Sequence, residues 1–334
     1  MRWISIFCLV FFVGCAKEEA PLVVIRGQTM GTTFQVKLPD TGIDRSKLDV
    51  DINALLKEVN RQMSTYQKDS EITQFNQSQT TDWVGISEDF GYVLGVAKQV
   101  SEWSDGAFDV TVGPLVNLWG FGPEAVPERI PSDDEIQARR VAIGFQKIMV
   151  QTDRRAVKKQ RADMYCDLSA VAKGFGVDKV ALYLEELGVQ AYFVEIGGEV
   201  RVKGRHVDGS RWRVGIATPT AEGGLQKVVA VEDLALATSG DYHNYFEKDG
   251  KRYSHTIDPR TGKPITHRLA SVSVMHQECA YADALATAIN VMGPEKGFAF
   301  ALEQNLPVFL LVKGDNGFVE KMSPAFEKIF YQKH

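Results

Sequence analysis

Cysteine is scarce in this chain, and no pair of cysteines has the spacing of a zinc site. The sequence contains Cys8, Cys15, Cys166 and Cys279. The first two belong to an N-terminal segment discussed below, and the other two are too few and too far apart for a structural zinc site. Export would allow Cys166 and Cys279 to form a disulfide. Two small, buried, apolar side chains are the alternative, which we favour.

Positive charge is not in excess either. Lysine and arginine number 38 against 43 aspartate and glutamate residues, which gives a net charge of −5 at pH 7. Nucleic-acid-binding domains usually present a basic patch. The basic cluster at residues 154–161 alternates with small apolar residues and is explained by a solvated hairpin face. We therefore expect no nucleic acid partner.

The apolar segment at the N-terminus is too short to cross a membrane. It follows Arg2 and spans Trp3 to Val13, well below the roughly 20 residues that a transmembrane helix needs. It ends in Phe-Val-Gly-Cys, which resembles the lipobox of bacterial lipoproteins, where the cysteine (here Cys15) becomes the lipidated first residue. A plain signal peptide and an uncleaved anchor are the alternatives.

These features predict the order of segments in the chain. Residues 1–14 form a lipoprotein signal peptide, residues 15–21 comprise the lipidated Cys15 and a polar tether, and residues 22–334 form a single domain. The mature protein is then exported, anchored by lipid to a bacterial membrane, and facing the periplasm. The sequence leaves open whether that membrane is the inner or the outer one.

The sequence has no internal repeat, low-complexity stretch or long linker. Apolar periodicity and capping residues predict helices over residues 46–63, 87–103, 132–142 and 169–187, around Asp283, and from just after Pro294 to Gln304. β-Branched or alternating residues predict strands over residues 23–38, 147–151, 164–167, 192–196, 211–217, 226–231, 270–275 and 307–312. Gly-rich turns at residues 197–198 and 208–209 favour antiparallel pairing. We therefore predict an α+β fold rather than a doubly wound parallel sheet.

Two oxygen-bearing side chains are one helical turn apart near the C-terminus. Asp283 and Thr287 lie in an alanine-rich helical segment, four residues apart, so they share one helix face. Carboxylate and hydroxyl oxygens suit Mg²⁺ or Ca²⁺ better than a soft metal. Upstream, a turn punctuated by proline and glycine contains His255, Asp258 and Arg260. Together these residues indicate a metal-assisted site for an anionic, phosphate-bearing ligand.

A second candidate for phosphate binding begins at Asp167. The segment from Asp167 to Asp178 has the pattern of a strand end followed by a helix start, with Lys173 in the first turns. Free N–H groups at a helix N-terminus attract phosphate oxygens, and a lysine adds a point charge. A solvated lysine on an ordinary amphipathic helix is the alternative.

Three weaker segments have a functional and an ordinary interpretation each. Thr29–Thr33 interrupts a predicted strand and either lines a pocket or forms a β-bulge. Tyr66, after the first helix, either stacks on a planar ligand or sits at the edge of the core. Residues 106–114 lead into Trp-Gly-Phe-Gly at 119–122, which suits a flat heteroaromatic ring but also ordinary packing.

In order and combination, these segments resemble the ApbE family of flavin transferases. The resemblance covers residues 29 to about 293, in the blocks Thr29–Thr33, Ser64–Tyr66, Gly106–Gly113, Asp167–Gly174, Gly197–Glu199, Thr238–Tyr242, His255–Gly262 and Ala282–Thr287. It implies a T-fold-like α+β architecture of mostly antiparallel sheets. The chain departs from the family at Glu195, where a small polar residue such as Asn is usual.

The resemblance also implies ligands and the residues that hold them. The residues implied to contact FAD are Met30, Tyr66, Ala107, Phe108, Asp109, Asp167, Lys173, His255 and Ile257. The implied ligands of a Mg²⁺ ion are the carbonyl of Ala170 and the side chains of Asp283 and Thr287. The last two agree with the oxygen-donor face inferred from spacing alone.

The activity implied is transfer of FMN from FAD to a Thr or Ser hydroxyl of a target flavoprotein, with release of AMP. Asp283 serves catalysis through the metal, and His255 is our first candidate for the proton acceptor because imidazole titrates closest to neutral pH. The alternative for His255 is that it binds the ligand without a proton role, and Asp258 either orients His255 or caps the turn. The implied targets are subunits of the Na⁺-translocating NADH:quinone reductase or a related electron-transport complex. Mg²⁺-dependent hydrolysis of FAD to FMN and AMP is one alternative, and a non-enzymatic flavin-binding lipoprotein is another.

Overall fold

The computed structural model describes residues 21–40, 42–123, 129–220, 223–240 and 245–332. Cys15, the predicted signal peptide, most of the predicted tether and residues 241–242 of one family block lie outside the described residues. The described ranges contain eight α-helices, which from α1 to α8 are Arg45–Met63, Glu71–Gln77, Glu88–Trp103, Gly113–Leu118, Asp133–Arg140, Ala172–Glu186, Cys279–Glu303 and Pro324–Phe330.

Seventeen strands lie in the same ranges. From β1 to β17 they are Leu22–Thr29, Thr32–Pro39, Val84–Gly85, Ile148–Gln151, Ala156–Lys159, Tyr192–Ile196, Glu199–Lys203, Trp212–Ala217, Leu225–Val231, Ala235–Gly240, Tyr245–Lys248, Lys251–Ser254, Ile257–Asp258, Lys263–Pro264, Leu269–His276, Val308–Gly314 and Gly317–Met322.

One large antiparallel sheet forms the centre of the fold. Its strand order is β1-β2-β6-β7-β10-β15-β16-β17, and every neighbouring pair runs antiparallel. Smaller antiparallel sheets pair β3-β5-β4, β8-β9, β11-β12 and β13-β14. The predicted α+β class with antiparallel sheets is therefore confirmed.

The large sheet is covered on both faces. Successive side chains of a strand point to opposite faces, so Val272 and Leu310 pack in the core that includes α3 and α7, whereas Met275 and Leu311 pack on the other side. That other side is covered by the β8-β9 hairpin and by Phe326 of α8. Helices α1 and α6 pack on β1, β2 and β6 through a further apolar cluster. Helices α6 and α7 consequently meet, and the candidate site lies at their contact.

Several predicted helix ends are confirmed by their caps. Ser87 accepts a hydrogen bond from the amide of Phe90 at the start of α3. Ser132 and Glu135 form a capping box at the start of α5. The two helices predicted near the C-terminus are both present within the range of α7, and they are separated by Gly293, whose φ of +82° and ψ of 179° are not helical. Within the described residues, no helix is both long and apolar enough to cross a bilayer.

The strand predicted over residues 23–38 is a hairpin instead. Thr29 pairs with Thr32, so Met30 and Gly31 form a two-residue turn between β1 and β2. Their φ angles are +50° and +72°, the left-handed pair that a tight hairpin requires. The β-bulge interpretation is therefore wrong. The turn at 208–209 likewise does not join paired strands, because β8 pairs with β9 rather than with β7.

Residues 164–167, predicted as a strand, belong to no sheet. Their backbone groups bond to other partners: Asn76 accepts from the amide of Cys166 and donates to its carbonyl, both at 2.8 Å, and the amide of Asp167 donates to Val110 at 2.7 Å. Asn76 therefore takes the place of a neighbouring strand. The apolar pattern of these residues therefore corresponds to buried side chains and not to hydrogen bonding within a sheet.

The basic cluster is only partly the solvated face that we predicted. It does lie on a hairpin, β4-β5, but Lys159 is buried. Its Nζ donates to the carbonyls of Phe75 at 3.0 Å and Asn76 at 3.3 Å, at the end of α2. Cys166 and Cys279 are free thiols and both are buried, as favoured from the sequence.

Candidate active site between two helices

Asp283 is a buried carboxylate on α7 that faces the start of α6. Its side chain is 4% exposed, and Oδ2 accepts a hydrogen bond from the amide of Gly174 at 3.0 Å. Burial raises the pKa of Asp283, while Lys173 and the Gly174 amide oppose that shift. A carboxylate in such a place stays ionised only if positive charge is close by. Gly174 lies on the first turn of α6, so the two helices contribute to one site.

Thr287 lies one turn further along α7 and faces the central sheet. Its Oγ1 shares a hydrogen bond of 3.1 Å with Oγ of Ser239 on β10. Asp283 and Thr287 are thus anchored to different elements, although they share a helix face. This confirms the helical spacing from which the pair was inferred, and it leaves lone pairs of both groups available to a ligand.

Ala170 lies in the turn that leads into α6. The helix was expected to begin at Ser169, but it begins at Ala172, because Asp167 Oδ1 accepts from both the amide of Ser169 at 2.9 Å and its hydroxyl at 2.5 Å. That local hydrogen bonding competes with helix formation. Ala170 consequently stays outside the helix, four residues before the Gly174 amide that contacts Asp283.

Lys173 is the cation of this site. Its Nζ lies 2.6 Å from Oε2 of Glu199, which is 2% exposed on β7. Burial disfavours the charge of Lys173, but the nearby Asp283 and Glu199 outweigh it and raise its pKa. Burial, with the charge of Asp283 added, raises the pKa of Glu199 to about 8 despite Lys173. One lysine therefore balances two buried carboxyl groups, an arrangement that accommodates a further cation.

The donor set fits a hard divalent cation. A buried carboxylate, a hydroxyl and a backbone carbonyl are oxygen ligands of the kind that Mg²⁺ prefers. Among the described residues, no group of three His, Cys, Asp or Glu side chains is placed to hold a metal. A metal in this part of the chain would therefore need hydroxyl, carbonyl, water or ligand oxygens as well, which is the composition predicted for Ala170, Asp283 and Thr287.

The Met30 turn lies beside α6. A Cβ on Gly176 would be 2.9 Å from Cε of Met30, and the Met30 side chain packs between the two apolar clusters that flank α6. Tyr66, in contrast, is 70% exposed after the end of α1. Its ring has free surface on which a planar ligand can stack, whereas the core-edge interpretation does not suit such exposure.

Residues 107–109, which were predicted to contact FAD, have buried side chains. Ala107 and Phe108 are buried in the protein, so their side chains present little surface to a ligand. Asp109 is also buried: Oδ1 accepts from the amide and hydroxyl of Thr111 at 2.8 and 2.6 Å, and Oδ2 accepts from the amide of Phe145 at 2.9 Å. Burial raises its pKa, against the pull of these bonds. The Asp109 side chain therefore organises its own loop.

The turn that carries His255 is held by its own hydrogen bonds. Asp258 accepts from Nε and the backbone amide of Arg260, both at 2.9 Å. Ile257 is buried in an apolar cluster, and the ring of His255 lies edge-on to Phe121, with 6.3 Å between centroids. Of the two roles weighed for Asp258, the contacts support capping of the turn.

A cleft joins this turn to the loop of Asp109. It has a volume of about 440 Å³, and Gly106, Asp109, Phe145, Arg140 and Arg260 are among the residues that line it. Arg140 Nη2 donates to the carbonyl of Arg260 at 2.5 Å across one side. The loop of Asp109 and the turn after His255, which were predicted as separate site segments, thus line one cleft.

Three residues that hold segments of the site in place were not predicted from the sequence. Asp178 and Asn76 bond to the backbones of Cys279, Ala280 and Cys166, and Glu199 pairs with Lys173. Glu199 was part of a matching block but was given no role. A buried Asp or Asn that caps another segment has no sequence pattern of its own, because its partner is distant in the chain.

The fold is that of flavin transferases. The chain belongs to the ApbE family, whose family model matches residues 30–310. The Vibrio cholerae protein named FAD:protein FMN transferase is 46% identical over 327 residues, which cover 97% of each chain.

Solved structures agree. The flavin transferase ApbE from Vibrio cholerae superposes with a TM-score of 0.86 at 44% identity, over 93% of this chain and 99% of that one. The apo form of the Pseudomonas stutzeri flavinyl transferase ApbE gives the same TM-score of 0.86 at 39% identity, over 94% of this chain and 98% of that one. The predicted family is confirmed.

Proposed function

We propose that this chain transfers FMN from FAD to a Thr or Ser hydroxyl of a target flavoprotein in a Mg²⁺-dependent reaction. The names of its relatives support the transfer itself. The observation that carries the metal dependence is that Asp283 and Thr287 share one face of α7, where Asp283 accepts from the amide of Gly174, four residues after Ala170. Asp283 is buried, and the neighbouring Lys173 supplies positive charge beside it.

The reaction is a substitution at phosphorus. The acceptor hydroxyl oxygen forms a bond to the phosphorus on the FMN side of FAD, the bond from that phosphorus to the bridging oxygen breaks, and AMP leaves with that oxygen. When bound, Mg²⁺ supplies neutralisation of the phosphate charge. Ala170, Asp283 and Thr287 would hold it, whereas Lys173, which has further N–H donors beyond its Glu199 contact, binds a phosphate oxygen.

The acceptor hydroxyl loses its proton as it attacks. We assign the proton to the imidazole of His255, a half-buried side chain on the turn beside the cleft. The ring of Phe121 lies edge-on to this imidazole. The remaining predicted contacts, Met30, Tyr66, residues 107–109, Asp167 and Ile257, bind and orient FAD, with residues 107–109 acting through backbone groups.

Incubation with FAD and a purified target domain tests the proposal. With Mg²⁺ we expect covalently bound flavin on the target and one AMP for each flavin, measured by in-gel fluorescence and by nucleotide chromatography. EDTA should abolish both products. Free FMN and AMP without target-bound flavin would instead establish the hydrolase alternative, and retention of intact FAD would establish the flavin-binding lipoprotein.

We further propose that the protein is lipid-anchored at Cys15 and works at the periplasmic face of a bacterial membrane. The support is the lipobox-like Phe-Val-Gly-Cys end of the N-terminal apolar segment. The targets we propose are subunits of the Na⁺-translocating NADH:quinone reductase or a related electron-transport complex. Replacement of Cys15 by Ser should abolish incorporation of labelled palmitate, and a variant that still incorporates the label contradicts the assignment.

A further inference from the structure

The helix that carries Asp283 and Thr287 has no cap of its own. The residue before α7, Glu278, makes no side-chain capping bond. The first amides of a helix have no partner within the helix, and burying them unpaired is costly. At α7 the partner comes from a different helix.

Asp178 of α6 supplies that partner. Its Oδ1 accepts from the amide of Cys279 at 3.0 Å, and its Oδ2 accepts from the amide of Ala280 at 2.9 Å. The carboxylate is buried, and Arg201 compensates its charge with Nη1 at 2.6 Å. A negative charge on the first turn of α7 is also favoured by the helix dipole.

A second bond runs the opposite way between the same two helices. The amide of Gly174, on α6, donates to Asp283 on α7 at 3.0 Å. Asp178 lies about one turn after Gly174, and Asp283 lies one turn after Cys279. Each helix thus offers a carboxylate to the other helix's backbone, and the two contacts together fix both the separation and the register of α6 and α7.

Close approach is possible because residue 174 has no side chain. A Cβ on Gly174 would lie 2.4 Å from the carbonyl oxygen of Cys279 and 2.9 Å from Cα of Ala280. Real Cβ atoms do not come so close, so any larger residue would push the start of α7 away from α6. The backbone amide of Gly174 would then move away from Asp283.

We propose that Asp178 is a positioning residue for the metal ligands. By holding the start of α7 against α6, it sets the distance between Asp283 on α7 and Ala170 in the turn before α6. This inference rests on the proposed function, since it concerns residues assigned there to Mg²⁺. Partners that orient metal ligands typically contribute about 10–100-fold to metal affinity.

The test compares Asp178→Asn with Arg201→Gln. Both variants break the Asp178–Arg201 ion pair, but only Asp178→Asn replaces an acceptor oxygen by an NH₂ group that faces a backbone amide. Mn²⁺ is the probe, and its binding in the presence of FAD is followed on ice by loss of the free-ion electron paramagnetic resonance signal. Circular dichroism establishes that each variant is folded.

We expect the Mn²⁺ dissociation constant to rise about 10-fold in Asp178→Asn and to stay unchanged in Arg201→Gln. Saturating Mg²⁺ should restore most of the kcat of Asp178→Asn, because the ligands themselves are intact. Unchanged Mn²⁺ affinity in folded Asp178→Asn, or an equal loss in both variants, overturns the proposal. If the wild-type protein binds no Mn²⁺ and its transfer activity is unaffected by EDTA, the proposed function itself is wrong.

Gly174→Ala provides a second test in case Asp178→Asn does not fold. It should weaken Mn²⁺ binding by a similar factor, since it separates the same two helices without changing any charge. Gly95→Ala in α3 is the matched control, because a Cβ there would meet only Cγ2 of Thr152 at an ordinary 3.7 Å. Folded Gly174→Ala with wild-type Mn²⁺ affinity contradicts the positioning role.

Discussion

The proposed function draws on two regions, a helical half and a turn half, which are built in different ways. The half at the contact of α6 and α7 buries Asp283, Glu199 and most of Lys173, and it is fixed by bonds between regular elements. The half around the cleft consists of turns, and its side chains satisfy one another locally, as Asp258 does with Arg260. Buried charges fixed by helices suit a metal and phosphates, whereas turns at a surface suit the larger and more variable contacts of a flavin and a protein acceptor.

This difference predicts that substitutions in the helical half act on the metal and that those in the turn half act on proton transfer or substrate binding.

Asp283→Ala should have the largest effect. It removes the buried carboxylate and leaves Lys173 with Glu199 alone, so we expect transfer to fall by about 100-fold or more at any Mg²⁺ concentration. Rates of target flavinylation across a Mg²⁺ titration measure this. Asp315→Ala, which changes an exposed carboxylate paired with Arg268, is the control and should retain full activity. Normal activity in Asp283→Ala would remove the metal site from the proposal.

His255→Ala should reduce kcat by about 10²–10⁴-fold, the usual contribution of a general base. FAD affinity, measured by quenching of flavin fluorescence, should change little. His206→Ala serves as the control, because His206 lies next to Trp212 and is not among the residues that line the cleft. Loss of FAD binding with normal turnover of the molecules that do bind FAD would assign His255 to binding alone.

Asp258→Asn separates the two roles considered for this residue. Because its oxygens accept from Arg260, we expect a loosened turn and a KM for FAD raised by a small factor, with kcat nearly unchanged. Steady-state kinetics with varied FAD gives both constants. A fall in kcat of about 10-fold or more at constant KM would mean instead that Asp258 orients His255.

The smallest effect concerns the two thiols. Burial raises the pKa of Cys166 to about 12 and raises that of Cys279 well above its usual value. At pH 8 a thiol with a pKa of about 12 is ionised to only about 10⁻⁴, and the thiolate is the reactive form. Iodoacetamide should therefore label neither residue in the native protein and both in denaturant, as mass spectrometry would show. Rapid native labelling would contradict the burial.

Prediction from the sequence succeeded where the signal was local. The cap at Ser87, the capping box at Ser132 and the spacing of Asp283 and Thr287 each depend on residues within one or two turns, and the structure agrees with all three. It failed at residues 164–167, where an apolar segment is buried but its backbone bonds to Asn76, 90 residues away. Periodicity reports which side chains are buried, and it cannot report what the backbone bonds to.

The sequence by itself determined the family and the α+β class, and it predicted the oxygen donors, because these depend on residue types in a fixed order along the chain. Only the tertiary structure decided how the donors meet. Asp178, Glu199 and Gly174 act on segments far from them in sequence, through a cap, an ion pair and a close backbone approach. Such contacts exist only once α6, α7 and the central sheet have packed together, since each depends on a separation in space and not on a spacing in the chain.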